Sequence, residues 1–584
     1  MAARIRVSRH TMGPGWRRDD EVRAPIISLV VHCFSRHRMS ERNAKRLGAW
    51  AALLAVWMLL GVATSGRVAR AQETGADGAE AARGRIVLVL PFDNRSGQPS
   101  LEWVREAAAE LLTSRLSSAG FSPLSREDRL YALDHLGLPE AFQPSRASAL
   151  KLAQTLDADS IVVGSFKTEG GNLEAEARVV DVPHLRMSAA VTARGPLTTM
   201  IDVFDRLAWK LTREMKPEFD GSEETFVAAG KGMRVDAFEQ YIRGITEPDQ
   251  TERLKHLNTA VKLSPGFGPA WMALGREEYS EQQYEEAAAA FAHVERSSPD
   301  ALEAGFYRGL SLLFSGQYAK AEEAFAEVAR ILPLAEVLNN EAVAMSRQGH
   351  DGSALFQRAV AADPNVADYH FNLAVSLKRR GENAGALKEM AECLKLRPGD
   401  SEAQSVLKGW KSPAVAQTTN VDEEAKADPL ERIMRSFDAL AFKQAALMMD
   451  QMETARLAAL SPEERAAKLT AQARTYLNRG LLLEAERMYQ SAVGADPKLA
   501  TAQAGLADVR ERAGDKAAAR KDAEASLALG PTAEAHEVLG RLDLSEGRLD
   551  EADAEAKEAL RLDPGSQPAQ DLSRQIAAKR AAKE

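Results

Sequence analysis

Eight prolines lay a ruler along the second half of the chain. Pro265, Pro299, Pro333, Pro364 and Pro398 follow one another at intervals of 34, 34, 31 and 34 residues, and Pro497, Pro531 and Pro564 at 34 and 33. A unit of that length holds two helices and two turns, too thin to bury its own apolar face, so burial must come from stacking on its neighbours. The positions between the prolines agree with one another. Trp271, Leu274, Gly275, Ala287 and Phe291 precede Pro299; Gly309, Ala321 and Phe325 precede Pro333; Leu373 and Ala386 precede Pro398. Ala485, Tyr489 and Ala492 precede Pro497, and Leu539, Gly540, Ala552 and Ala559 lead to Pro564. Small residues let paired helices approach, an aromatic ring fills the gap between them, and proline ends the second helix. A generic alanine-rich helical array would not keep this spacing.

These positions resemble those of tetratricopeptide-repeat proteins. The resemblance implies an all-α solenoid in two blocks: array 1 over 235–408, with a degenerate first repeat and a shortened fourth, and array 2 over 466–566. Between them, residues 409–429 are polar and Pro-containing and read as a linker. Residues 430–465, with the Met-rich run "FKQAALMMDQMETARLAAL", read as connecting helices, and 567–584 as a capping helix and tail. The resemblance also implies a peptide groove lined from the first helix of each repeat, where four-residue steps keep one side. Counting positions gives Met272 and Arg276; Phe306, Leu310 and Phe314; Asn339, Val343 and Arg347; and Phe371, Val375 and Arg379 with Lys378 alongside. That surface is apolar in its middle and basic toward one end, and suits an extended or helical segment carrying apolar anchors and a carboxylate. The alternative is that Phe306, Leu310 and Phe314 pack against the domain that precedes the repeats.

That domain spans 85–215 and reads as mixed α/β, so the fold class is an α/β amino-terminal domain followed by an all-α solenoid. "RIVLVL" (85–90) is a buried strand by its branched run, and 100–120 places Leu101, Val104, Ala108, Leu111, Leu112 and Leu116 at helical spacing before Gly120. Gly170-Gly171 divides two alternating runs, a hairpin signal. "RMSAAVTARG" reads as a third strand, and a helix ends the domain before a linker at 216–234. The turn after the first strand could cradle phosphate, but it has Gly97 alone and no lysine where a phosphate loop needs several glycines and a lysine. Asp93 and Asn94 suit a side-chain-capped turn there, with Ser100 as a helix cap. "VLPFDNRSGQPSLEWVREAAAELLTSRLSSAG" and "LDADSIVVGSFKTEGGNLEAEARVVDV" together resemble the TolB amino-terminal-like domains of the bacterial envelope. The resemblance implies a non-catalytic module for protein contacts, without the lipidation cysteine that would anchor it.

The ends of the chain differ in charge. Residues 1–71 hold 13 Lys and Arg against 4 Asp and Glu, whereas 72–584 hold 62 against 80, an acidic body that argues against nucleic acid as a partner. After Met39 come Arg42, Lys45 and Arg46, the apolar run 47–63, and Ala69-Arg70-Ala71 before Gln72. This is the pattern of a signal peptide (39–71) cut between Ala71 and Gln72, followed by a short leader (72–84), with 1–38 as an upstream extension. At 17 residues the run falls short of the ~20 that comfortably span a bilayer. Cleavage makes the protein periplasmic; retention would anchor it in the inner membrane by 47–63, and only then is the membrane a partner. Two cysteines, Cys33 and Cys393, cannot build a disulfide framework. No H-E-x-x-H, Cys-x-x-Cys or G-x-S-x-G occurs, and no metal, cofactor or catalytic residue is expected. The expectation is an exported, non-catalytic envelope scaffold or adaptor that binds other envelope proteins or peptide segments. A membrane-anchored sensory subunit with a ligand-binding α/β domain, or a secretion or surface-assembly component, are the alternatives.

Overall fold

The computed structural model describes residues 86–140, 145–296, 298, 300–411, 429–436, 452–453 and 455–582. The proposed signal, with Ala69, Ala71 and Gln72, and residues 437–451 of the segment expected as connecting helices lie outside them.

The α/β domain has β1 (Ile86–Val89), β2 (Asp93–Asn94), α1 (Val104–Ser118), β3 (Ser122–Pro123), α2 (Arg126–His135), α3 (Arg146–Thr155), β4 (Ser160–Glu169), β5 (Asn172–Asp181), β6 (Arg186–Met187), β7 (Val191–Pro196) and α4 (Met200–Met215). β1 pairs in parallel with β3 and β4, and β5 runs antiparallel to β4, β6 and β7 in one sheet. Gly170 and Gly171 make the β4–β5 hairpin at φ of +57° and +80°, the left-handed pair that a two-residue turn between twisted strands requires. Alternate strand residues serve two cores. Val87, Val89, Val162, Phe166 and Ala175 pack under α1 and α4, where Phe92 meets Phe204 edge-on at 6.0 Å. Leu88, Leu90, Ile161 and Val180 face α2 and α3. The strand expected across "RMSAAVTARG" is two, β6 and β7. The first helix begins at Val104 rather than Leu101 and takes no cap from Ser100; Asn94 instead holds the turn, accepting from the Ser96 amide at 3.0 Å and donating to the Gln98 carbonyl at 3.0 Å.

Residues 216–234 are not a free linker. They contain α5 (Glu223–Ala229), whose N-cap Ser222 accepts from the Thr225 amide and whose Phe226 is fully buried in the core under α1 and α4. Apolar residues of an amphipathic turn decide this over the polar residues around them.

Five helix pairs follow: α6 (Val235–Thr246) and α7 (Gln250–Leu263), α8 (Gly268–Ser280) and α9 (Tyr284–Ala292), α10 (Ala301–Phe314) and α11 (Tyr318–Ile331), α12 (Ala335–Arg347) and α13 (Ser353–Ala362), and α14 (Ala367–Arg379) and α15 (Asn383–Leu396), closed by α16 (Ser401–Lys411). The 31-residue proline interval falls on the fourth pair, where α13 has only 10 residues. The first pair is welded to the α/β core through Phe238, Ile242, Leu257 and Ala260. The second array holds α17 (Pro462–Asn478) and α18 (Leu482–Ala495), α19 (Ala500–Ala513) and α20 (Lys516–Leu529), α21 (Ala533–Glu546) and α22 (Leu549–Leu562), capped by α23 (Gln567–Ala581). It returns to the α/β domain at α5: Glu486 accepts from the Ser222 amide at 3.3 Å, Lys231 donates to the Ala513 carbonyl at 3.0 Å, and Leu483 enters the α/β core.

Candidate functional site

Residues 430–436, expected as the start of a helix, are extended instead and lie along the first helices of the last two pairs of array 1. A helix here would bond its own backbone; this strap bonds asparagine side chains. Asn372 donates to the Arg432 carbonyl at 2.7 Å and accepts from the Arg432 amide at 2.6 Å. Asn340 does the same at Met434, at 2.8 and 2.9 Å. Asn339 adds a second donor to the Arg432 carbonyl at 3.1 Å, and Asn372 donates to Asn339 at 2.8 Å. All three asparagines are at 0 % exposure, so their amides must be bonded to be tolerated.

The strap's side chains have separate seats. Glu431 is buried, its carboxylate taken by Arg379, Ser346 and, at 3.7 Å, Arg347, which also donates to the Glu431 carbonyl at 3.1 Å. Arg379 reaches further, to the Pro429 carbonyl at 3.2 Å. The Arg432 guanidinium lies 3.7 Å over the Phe371 ring and pairs with Asp368, Asp400 and Glu402 at 2.8, 2.6 and 2.7 Å. Burial works against its charge, but the bonds from these three acids outweigh that and raise its pKa; Asp400 is correspondingly held below the ordinary aspartate range, first by the Arg432 bond. Ile433 packs on the cluster around Phe325 and Val343, Met434 on the one around Leu338 and Tyr369, and Arg435 stands 5.2 Å from the Phe314 ring.

The residues expected to line a groove therefore divide. Asn339, Arg347, Phe371 and Arg379 touch the strap, and Phe314 meets it through Arg435. Met272, Phe306, Leu310, Val343 and Val375 are instead buried in the packing between helices. Four residues turn a helix by more than a full circle, so a line of four-residue steps drifts into the seam between repeats. Phe306 and Leu310 join Phe325 in the core of array 1, not the α/β domain. Arg276 pairs with Glu303 at 2.7 Å and with Glu127 of the α/β domain at 3.3 Å, and Lys378 donates to Asn383 near the Trp410 ring. Sequence reasoning missed Asn340, Asn372, Ser346 and the acidic seat. The available signal was asparagine inside helices, where its side chain competes with the backbone and is disfavoured without another partner.

Residues 272–336, 342–401, 470–534 and 506–567 match the tetratricopeptide repeat family. The helix pairs within those residues are tetratricopeptide repeats. Among solved structures, the chain is similar to MamA from Desulfovibrio magneticus RS-1 (22 % identity, 29 % of this chain and 99 % of that one, TM-score 0.26). It is also similar to YrrB, described as a TPR protein with an unusual peptide-binding site (17 %, 34 % and 98 %, TM-score 0.27). A third is the LpoB C-terminal domain from Salmonella enterica (19 %, 20 % and 84 %, TM-score 0.18). No curated protein is matched by the sequence. The matched repeats support a protein-interaction scaffold. Among the described residues no cluster of His, Cys, Asp and Glu could hold a metal ion, and no helix is long and apolar enough to cross a membrane.

Proposed function

We propose that the chain is a non-catalytic, exported scaffold of the bacterial cell envelope whose first repeat array holds an extended segment of another envelope protein. The observation that carries the reading is the buried asparagine trio, whose amides bond both groups of a peptide backbone at two residues. Such a surface recognises extended main chain, and flanking seats select side chains. Export is supported by the basic residues after Met39, the apolar run 47–63 and Ala69-Arg70-Ala71. The α/β domain, similar in pattern to TolB amino-terminal-like modules, serves as a further contact surface.

Two measurements test this. Terminal sequencing of protein from the periplasmic fraction is expected to begin at Gln72; an intact 39–71 in the membrane would replace the periplasmic reading with the anchored one. Crosslinking in the native cell is expected to capture envelope proteins that Asn339→Ala/Asn372→Ala loses and that Glu285→Lys, on an exposed surface, keeps. Equal capture by both variants, each folded by circular dichroism, would move the partner site away from this groove.

A further inference from the structure

The groove of array 1 is filled by chain that belongs to neither array. All five helix pairs and the closing α16 are complete by Lys411, and the strap at 429–436 adds no helix to them. Its contribution is instead that of a ligand: two residues bonded through both backbone groups, one carboxylate between two arginines, one guanidinium between an aromatic face and three acids, and two apolar anchors. The order of seats along the groove is therefore on display: acid, arginine, aliphatic, aliphatic.

Without an occupant the trio could satisfy only part of its bonding, through Asn372 to Asn339 and Asn339 to Asn340 at 2.8 and 3.2 Å. Four further bonds from Asn340 and Asn372, and the charge of the acidic seat, need something in place. A partner segment must supply the same groups, because the seats are set by side chains of the repeats and of α16 rather than by the strap. Leu430, by contrast, is 63 % exposed, so what precedes the acid is not selected by the groove.

We propose, building on the scaffold reading, that residues 431–434 are an internal stand-in for the partner: the groove takes in trans an extended segment of the form acid-Arg-aliphatic-aliphatic, and that segment binds by displacing the strap. A ligand carried on the same chain acts at an effective concentration on the order of millimolar. A strap whose intrinsic dissociation constant is micromolar therefore masks the groove by about a thousandfold. Partner binding then depends on strap occupancy as well as on contacts, and weak matches to the pattern are rejected by competition.

The test uses a fluorescent peptide of sequence PLERIMRS, identical to 429–436, titrated by anisotropy into the full chain. Arg432→Ala in the protein empties the acidic seat without touching the groove, and is expected to tighten peptide binding at least 100-fold over wild type. Glu431→Ala, at the other end of the strap, is expected to act in the same direction and serves if Arg432→Ala is poorly folded. Adding Asn372→Ala to Arg432→Ala should abolish the gain, as should a peptide with alanine in place of its first arginine. Equal affinity of wild type and both strap variants would overturn the proposal, and partner capture by wild type in the cell would then still support the scaffold reading. A wild-type dimer that Arg432→Ala converts to a monomer would also overturn it, because the strap would then serve a second copy.

Discussion

Replacing Arg115 with alanine is expected to cost the α/β domain about 3–5 kcal/mol, the usual penalty for stranding one partner of a buried ion pair. Arg115 of α1 donates through Nε to Asp205 of α4 at 2.8 Å, and the side chains are 7 % and 0 % exposed. The pair sits under the turn after α5, where a Cβ on Gly230 would come within 2.3 Å of the second Asp205 oxygen. Burial pushes the Asp205 carboxyl up to about 6, with Arg115 pulling the other way. An acid raised in the folded state adds stability that is complete below its unfolded value and lost as pH rises through the folded one. The domain therefore gains stability from this group as pH falls from 7 toward 4, and Arg115→Ala gains more, since its carboxyl rises further. Urea unfolding at pH 5 and 7, with hydrogen exchange in α1 and α4 as the local readout, checks both statements. Asp205→Asn added to Arg115→Ala should recover part of the loss by removing the bare charge. A loss under about 1 kcal/mol at pH 7 would mean that the pair is not holding α1 to α4.

Phe325→Ala is expected to destabilise array 1 by a similar amount, about 3–5 kcal/mol, because a fully buried ring leaves a cavity among packed helices. Phe325 touches Phe306 edge-on at 5.8 Å and covers Gly309, where a Cβ would stand 2.7 Å from the ring. The same fit recurs as Gly275 against Phe291 at 2.8 Å and Gly505 against Tyr489 at 2.2 Å. Gly309→Ala alone should then cost about 1–3 kcal/mol through overpacking. Combined with Phe325→Leu, which frees the space, it should cost less than the two separate losses added together, the mark of direct contact. Additive losses in thermal melts of the full chain would show that glycine and ring act independently.

This glycine-to-ring fit is what made the repeats legible. Residues that must be small and residues that must be large recur on one 34-residue ruler because each repeat meets the next in the same way. The hairpin was legible for a similar local reason, since Gly170 and Gly171 supply the turn geometry themselves. The strap was not. "ERIMRS" has helix-forming composition, and what keeps it extended lies 60 to 94 residues away, in Asn372 and Asn340. Residue spacing within the segment carries no trace of a partner at that distance. The strap's seat was half legible: counting from helix starts reached Asn339 and Phe371 at the fifth place, while Asn340 and Asn372, one place on, make the paired backbone bonds. One residue is about 100° around a helix, the difference between seam and groove. The helix within 216–234 escaped because Phe226 finds its core only once α1 and α4 are assembled.

The return of the second array to α5 bears on how groove occupancy could ever be felt elsewhere. Array 1 is fixed to the α/β core through Phe238 and Ile242, and array 2 through Leu483, Glu486 and Lys231. Among the described residues, the strap takes part in neither of these moorings. On the proposal above, a partner exchanging with the strap would change which chain is on show, freeing PLERIMRS as an exposed epitope, without breaking a mooring contact of either array. The signal such an exchange can send is the released sequence itself, to be read by whatever recognises a chain with an acid, an arginine and two aliphatic residues in a row.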